Sequence, residues 1–252
     1  MEETTILLKN ECPEERAFYF MKIVNAIIVT IVVVLWFIAL IKVYYDNKGK
    51  GNYTNITRFI VRVAIFGAIS AILYVVPILK FPVPFFPSFL EFHFDEIPVF
   101  IAGFAYGPWA AVAILLVKTV IKLPFSSTMM VGELSDLLFS TAFILPATII
   151  YKKMRSFKGA IIGLVVGMLF QLTIALLGNI YVMVPFYMYM FGLDADALLF
   201  ICRLANPKIT NVGWSYGLMA VVPFNLIKDA VVIIVTFLVY KSIHRFLDKY
   251  QS

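Results

Sequence analysis

Long, nearly unbroken apolar runs constrain the fold of this chain more than any other feature. Hydrophobic residues make up 62% of the 252 residues and charged residues only 14%, about half of the charged fraction of a soluble domain. A soluble domain of this size cannot bury so much apolar surface in one core, and the runs lack the alternation of a membrane β-barrel. The sequence therefore predicts an all-α polytopic membrane protein.

Turn signals and polar stretches divide the apolar runs into seven predicted helices. The clearest boundary is the polar linker 42–58. We therefore expect residues 1–57 to hold one N-terminal transmembrane helix and a cytoplasmic linker, and residues 58–252 to form the main membrane domain. Residues 184–214 are expected to form a long outer segment. The predicted helices cover residues 23–41, 59–79, 97–106, 109–123, 132–151, 160–183 and 216–240.

Basic residues are concentrated in three segments that seven spans would place on one side of the membrane. These segments are the linker 42–58, the loop 152–158 and the tail 241–249. Lys and Arg are enriched in cytoplasmic loops, so we expect the C-terminus in the cytoplasm and the N-terminus outside. The net charge of +6 is then an orientation signal, and no nucleic-acid partner is expected.

The sequence lacks the motifs of an enzyme or a metal site. It has no GxxxxGK[ST] phosphate loop, no HExxH and no paired-carboxylate arrangement, so we expect no catalytic residue and no metal site. The two histidines, His93 and His244, are far apart in the chain. Cys12 and Cys202 lack CxxC spacing; we interpret them as free thiols, with a disulfide as the alternative.

Lys228 lies near the middle of the last apolar run. A lysine at the centre of a membrane costs about 2.5–3.5 kcal/mol on insertion scales, so such a residue indicates a functional site. Asn225 lies three residues earlier and therefore on the same helix face. The alternative is a structural role, in which Lys228 pairs with Asp229 or Glu133.

A second polar residue, Asn179, lies near the outer end of its predicted span. Met183 and Tyr187 follow at positions i+4 and i+8 and share its face if the helix continues past Pro185. Either Asn179 contributes to a binding site or it forms only an interhelical hydrogen bond.

Three further charged residues lie within or beside the apolar helices. Lys118 and Lys122 are one turn apart, and we expect both to extend outward along the helix rather than to bind a ligand. Glu133 stands close to a helix start, where it either interacts with the helix dipole or contributes to a site.

The proline-rich stretch 81–87 cannot form a regular helix. The aromatic residues around it, including Phe86 and Phe89, are expected to form a lid over a cavity together with Glu91. The acidic pair Asp95-Glu96 then starts the next helix.

Small residues recur at four-residue spacing. Gly159, Gly163 and Gly167 form a GxxxGxxxG series, which we expect to pack within the fold. Ala64 and Ala68 form a second pair, which allows close approach either within the fold or to a partner.

Over residues 58–240 these motifs resemble the substrate-binding S components of energy-coupling-factor (ECF) vitamin transporters, and among them the riboflavin-specific type. The family often has Ser-Asp-Ile-Pro where this chain has Asp95-Glu96-Ile97-Pro98, and Asn-Tyr-Phe where it has Asn179-Ile180-Tyr181. The segments that carry the resemblance are Asp95-Glu-Ile-Pro98, Gly103-Phe-Ala-Tyr-Gly107-Pro108, Gly132-Glu133-Leu, Leu145-Pro146, Gly178-Asn179-Ile-Tyr181, Ala205-Asn206-Pro-Lys-Ile209 and Pro223-Phe-Asn225-Leu-Ile-Lys228.

The resemblance implies a six-helix core plus one extra N-terminal transmembrane helix, in the plasma membrane of a prokaryote. It implies capture of riboflavin outside and delivery to the cytoplasm with a transmembrane coupling subunit (the T component) and two ABC ATPase subunits. Riboflavin would be the transported substrate, and no cofactor is implied. The alternatives are an S component for another vitamin or small metabolite, or a self-sufficient secondary transporter.

The resemblance also implies roles for individual residues. The flavin would be held by residues matching Asn179, Asn225 and Lys228 under the loop 81–91, and the family's AxxxA docking pattern matches Ala64 and Ala68. Amides and aromatic walls are compatible with a flavin ring. The predicted substrate-binding residues are Asn179, Asn225, Lys228, Phe86, Phe89, Glu91, Met183, Tyr187 and Glu133, and the predicted docking residues are Ala64 and Ala68.

Overall fold

A computed structural model describes residues 53–249 and, in the N-terminal segment, the helical residues Val34 and Ile38; side chains are described for residues 56–80 and 83–239 and for those two positions. The predicted helix 23–41 and Cys12 lie outside the described residues, except for those two positions. The division of the chain at residue 57 stays a prediction.

The described part of the chain folds into helices and one small hairpin. The elements are α1 (Tyr53–Val75), β1 (Phe81–Pro82), β2 (Glu91–Phe92), α2 (Glu96–Tyr106), α3 (Pro108–Lys122), α4 (Val131–Met154), α5 (Phe157–Gly178), α6 (Val184–Phe191), α7 (Ala195–Ala205), α8 (Trp214–Tyr216) and α9 (Val222–Lys249). Two wide π-helical turns, Asn179–Met183 and Gly217–Val221, join α5 to α6 and α8 to α9.

Five helical stretches in residues 53–249 are long and apolar enough to cross a membrane. With the shorter apolar helix α2 they make six helices. The prediction of an all-α polytopic membrane protein is therefore confirmed. The stretches are Ile56–Val75, Pro108–Phe125, Val131–Met154, Phe157–Phe191 and Trp214–Val239.

The predicted break between helices 97–106 and 109–123 is confirmed and falls at Gly107-Pro108. Gly107 has φ +97°, a conformation that only glycine adopts without strain. Pro108 opens α3, where its missing N–H costs nothing. The resulting helix pair forms the centre of the core, with Phe100 and Leu115 fully buried.

Helices α4 and α5 pack closely through the glycine series. A Cβ atom added at Gly163 would lie 2.6 Å from the backbone oxygen of Ala147, and one at Gly167 would overlap the backbone of Phe143. Any larger side chain at either position would therefore separate the helices. The expectation that these glycines pack within the fold is confirmed for both.

Helix α1 has two different small-residue faces. Gly67 faces α3, where an added Cβ would lie 2.8 Å from the side chain of Val117. Ala64 and Ala68 lie on a neighbouring face, where both are exposed. The Ala64–Ala68 pair therefore makes no close helix contact within the described chain and remains open to lipid or a partner.

The predicted outer segment 184–214 contains two helices that the sequence pattern did not indicate. Helix α6 continues α5 because Pro185 occupies the first turn of α6, where no N–H is needed. Helix α7 begins at a cap in which Asp194 accepts a hydrogen bond from the Ala197 N–H at 2.7 Å. Cys202 on α7 is a buried free thiol, as predicted, and burial raises the pKa of Cys202 to about 11.

Candidate binding site

The hairpin formed by β1 and β2 lies against α9. The ring of Phe86 packs edge-on against Phe224 at 5.4 Å, and Phe92 packs against the same ring at 6.4 Å. An ion pair of 2.9 Å between Lys80 and Glu91 joins the two strands of the hairpin at its exposed side. The hairpin thus lies over the helices with its aromatic side turned toward them, and its role as a lid stays a prediction.

Aromatic side chains fill the space between the hairpin and the helices. The ring centre of Phe89 lies 4.8 Å from that of Tyr187 and 6.1 Å from that of Tyr216. Tyr187, Met183 and Asn179 are all buried. The helix does continue past Pro185, so the prediction that these three residues share one face is confirmed.

Asn179 begins the first wide turn. Its side-chain amide donates to the Ala175 carbonyl at 2.9 Å. The Tyr216 hydroxyl donates to its side-chain oxygen at 3.4 Å. Asn179 therefore links two helices, as its alternative interpretation expects. A side-chain oxygen has two lone pairs, so this bond leaves Asn179 able to accept a second one.

Asn225 follows the second wide turn and repeats this arrangement. Its amide donates to the Val221 carbonyl at 2.8 Å, and Gln171 donates to its side-chain oxygen at 2.9 Å. Two buried amides thus stand beside two π turns, and such turns are frequent at functional sites.

Lys228 lies one turn beyond Asn225 and is buried. Its ammonium group is 3.5 Å from Oε1 of Glu96, which also accepts a hydrogen bond from Ser140 at 2.8 Å. The alternative prediction, in which Lys228 pairs with Asp229 or Glu133, is therefore wrong. Both carboxylate oxygens of Asp229 are buried without a hydrogen-bond partner among the described residues.

Lys118 is fully buried, so the expectation that it extends outward is wrong. Its ammonium pairs with Asp95 and, at 3.0 Å, with Asp136. His93 binds the other oxygen of Asp95. Burial alone would raise the pKa of Asp95, but the adjacent Lys118 and His93 hold this pKa well below its usual range. The two carboxylates explain why Lys118 turns inward.

Lys122, one turn further along α3, is also mostly buried. Its ammonium donates to the Phe125 carbonyl at 3.3 Å. The expectation that it extends outward is wrong too, because the end of α1 and the hairpin cover this turn of α3.

Glu133 and Glu91 lie at the margin of the site. Glu133 accepts hydrogen bonds from Ser126 at 2.7 Å and from Thr128 at 2.9 Å, so its direct role is to hold the loop before α4. Glu91 is half exposed and pairs with Lys80. Among the described residues, no three His, Cys, Asp or Glu side chains are arranged to hold a metal ion.

The helices bury a cluster of ionisable side chains that was not predicted from the sequence. We define this ion cluster as His93, Asp95, Glu96, Lys118 and Asp136. A signal for it was present, because Lys118 interrupts an apolar helix as Lys228 does. The acidic pair at the start of α2 also precedes an apolar helix that is too short to span a membrane. Together these features indicate carboxylates that are buried inside the membrane domain.

Comparison with known proteins places the arrangement in a family. The family model of the ECF transporter substrate-specific component matches residues 58–240. The chain belongs to this family. It is a multi-pass membrane S component and not an enzyme.

Individual relatives of this S component agree with the family match. It is 33% identical over 181 residues to a riboflavin transporter RibU of Staphylococcus aureus, covering 72% of this chain and 89% of the relative. It is 26% identical to the riboflavin transporter FmnP of Bacillus subtilis, covering 76% of this chain and 96% of the relative.

A solved structure of the S component of a bacterial ECF transporter is also similar to this chain. The TM-score is 0.59 at 28% sequence identity, and the match covers 76% of this chain and 98% of the solved one. The helical core therefore follows the architecture of the family.

The ion cluster yields a stability prediction. Lys118→Met should destabilise the protein by about 3–5 kcal/mol, because Asp95 and Asp136 would remain buried without their cation. Thermal unfolding in detergent measures the loss. Combining it with Asp95→Asn should recover part of the stability, whereas Lys152→Met, at an exposed lysine, should change little. Equal melting temperatures for the Lys118 and Lys152 variants would contradict the prediction.

Proposed function

We propose that this S component binds riboflavin and is its membrane-embedded carrier. The observation that carries the proposal is the placement of two buried amides, Asn179 and Asn225, and the buried ammonium of Lys228 beneath an aromatic lid. A flat tricyclic flavin ring suits aromatic walls with a few polar partners. The names of the two relatives, both riboflavin transporters, support the same ligand.

The proposed contacts follow from the unused hydrogen-bonding capacity of these side chains. Lys228 has three N–H donors, and Glu96 at 3.5 Å takes at most one of them. Asn179 and Asn225 each keep a free lone pair on the side-chain oxygen, which suits an N–H of the flavin ring. Carbonyl groups of the flavin would accept from Lys228.

The remaining predicted residues have supporting roles in this proposal. Phe86, Phe89 and Tyr187 would form the walls around the ring, with Met183 as an adaptable apolar contact. Two carboxylates at the margin, Glu91 and Glu133, would act through the hairpin and the loop before α4 rather than through the ring. The ligand then enters beneath the hairpin.

We further propose that transport uses the partners the family implies, a transmembrane T component and two ABC ATPase subunits. The exposed pair Ala64 and Ala68 on α1 supports a docking role, since small residues allow close helix approach. Exposed isoleucines flank the pair on the same helix, among them Ile60 and Ile65. A smooth apolar stripe of this kind suits a helix of another membrane subunit.

The proposed orientation places the hairpin outside the cell. The loop between α4 and α5 carries Lys152, Lys153, Arg155 and Lys158, and the hairpin lies at the opposite ends of the spanning helices. A basic loop faces the cytoplasm. The lid would then open outward in the plasma membrane of a prokaryote, and the C-terminus would be cytoplasmic.

Riboflavin binding is tested with purified protein and riboflavin fluorescence. Asn225→Ala combined with Lys228→Ala should weaken binding by about 100-fold or more, because two buried hydrogen-bonding groups are lost. Asn179→Ala, which leaves the Lys228–Glu96 pair intact, should weaken it about tenfold. Lys208→Ala, at an exposed lysine near the same end of the bundle, is the control.

The same titration discriminates between ligands. A wild-type protein that does not quench riboflavin at micromolar concentrations, but is thermally stabilised by another vitamin, is an S component for that vitamin. Unchanged riboflavin affinity in both the Asn225–Lys228 double variant and the Asn179→Ala variant would place the site elsewhere.

The docking proposal predicts a loss of assembly without a loss of ligand binding. Ala64→Leu with Ala68→Leu should abolish co-purification with the T component, because the added branches hold the helices apart, while riboflavin affinity stays unchanged. Val165→Leu adds a methylene on an exposed face of α5 and is the matched control. Full assembly of the double variant would refute the assigned surface.

Orientation is measured by cysteine labelling in intact cells. In a Cys12→Ser background, which removes the native thiol expected outside, Lys153→Cys should react with a membrane-impermeant maleimide only after lysis, and Lys208→Cys should react before it. Both positions are exposed in the structure, so the reversed pattern would overturn the orientation.

A further inference from the structure

A cavity lies beside the hairpin, on the side of α1 and α3. Its volume is about 590 Å³. Val75 at the end of α1, the two residues that follow it and Phe125 form an apolar wall, and Lys80, Lys122, Ser88 and Glu91 form a polar one. Of the residues proposed to serve riboflavin, only Glu91 lines this cavity.

Two lysine side chains converge in this cavity. The side chain of Lys80 is only 12% exposed, and Lys122 as a whole is 8% exposed. Their ammonium groups lie 5.3 and 5.6 Å from the centre of the same Tyr74 ring. Two like charges are thus held in one small volume, where each disfavours the other.

Lys122 has no direct carboxylate partner within the described side chains. Glu91 binds Lys80 at 2.9 Å, with its carboxylate half exposed to solvent. No carboxylate among the described side chains lies within 4.0 Å of the Lys122 ammonium, which donates to the Phe125 carbonyl; Glu133 and Glu91 act on it only from a greater distance. N–H donors of Lys122 therefore remain for a ligand.

The position of the cavity narrows the class of ligand. Phe125 in its wall and Ile78 beside it are highly exposed apolar residues just beyond the outer ends of α3 and α1. A membrane places its phosphate groups at this level, above the apolar spans. A phosphate group has several acceptor oxygens and pairs well with lysine.

We propose that the cavity between the end of α1, the hairpin and Lys122 binds a phosphate group, with Lys80 and Lys122 as its ligands. Glu91 competes with that phosphate for Lys80. The phosphate comes either from a soluble anion or from the headgroup of an anionic lipid, and the site is independent of the flavin site on the other side of the hairpin.

The test uses the full chain without riboflavin, so its outcome does not depend on the proposed function. Inorganic phosphate is titrated against the melting temperature in a non-ionic detergent, with potassium chloride at matched ionic strength as the reference. In parallel, protein in bilayers of phosphatidylglycerol and phosphatidylcholine is analysed for co-purifying lipid by native mass spectrometry.

The lysine and glutamate variants are expected to change the affinity for phosphate in opposite directions. Lys80→Gln and Lys122→Gln should each weaken binding about tenfold for whichever of the two probes the wild-type protein binds. Each change removes one charge-assisted hydrogen bond. Glu91→Gln should strengthen binding, because Lys80 loses its competing partner. Lys122→Arg should retain binding if Lys122→Gln does not fold. Lys208→Gln makes the same charge change at an exposed position and should have no effect.

Each outcome decides the proposal. Phosphate stabilisation that follows this variant order identifies a soluble anion, and selective retention of phosphatidylglycerol in the same order identifies a lipid headgroup. No binding of either probe, or equal loss in Lys80→Gln and Lys208→Gln, overturns the site.

Discussion

The burial of the Lys118 ammonium between Asp95 and Asp136 is the interaction on which the rest of the structure depends. An ion pair in an apolar interior is stable only while every member keeps its partners. The pair therefore fixes the relative depth of α3, α4 and the start of α2. Ser70 of α1 donates to the backbone oxygen of Asp95 at 2.5 Å, so α1 is held at the same level.

The positions of the proposed binding residues depend on these buried contacts. Glu96 follows Asp95 and reaches Lys228, which ties α9 to the ion cluster. Asn225 stands one turn away on the same face of α9, while Asn179 is held through Tyr216. The proposed ligand contacts thus come from distant parts of the chain, and their mutual positions follow from buried charges rather than from the loops that connect them.

The sequence predicts the helices and turns of this structure better than it predicts which side chains contact each other. The spans, the Gly107 turn and the shared face of Asn225 and Lys228 follow from hydropathy and helical periodicity. The partner of Lys228 does not, because periodicity fixes a helix face but not the helix opposite to it. Lys118 shows the same limit: its direction depends on Asp95 and Asp136, which packing alone brings near.

The two wide turns have a consequence for how the pocket can vary. Each contains more residues per turn than an α-helix, so each sets the rotation of everything that follows it. Met183 and Tyr187 are both buried, and the turn at Asn179 sets the rotation of the helix that carries them. Asn225 depends in the same way on the turn at Gly217. The pocket can therefore accept exchanges of side chains, but a single-residue insertion or deletion in either turn would rotate one wall of the pocket out of register.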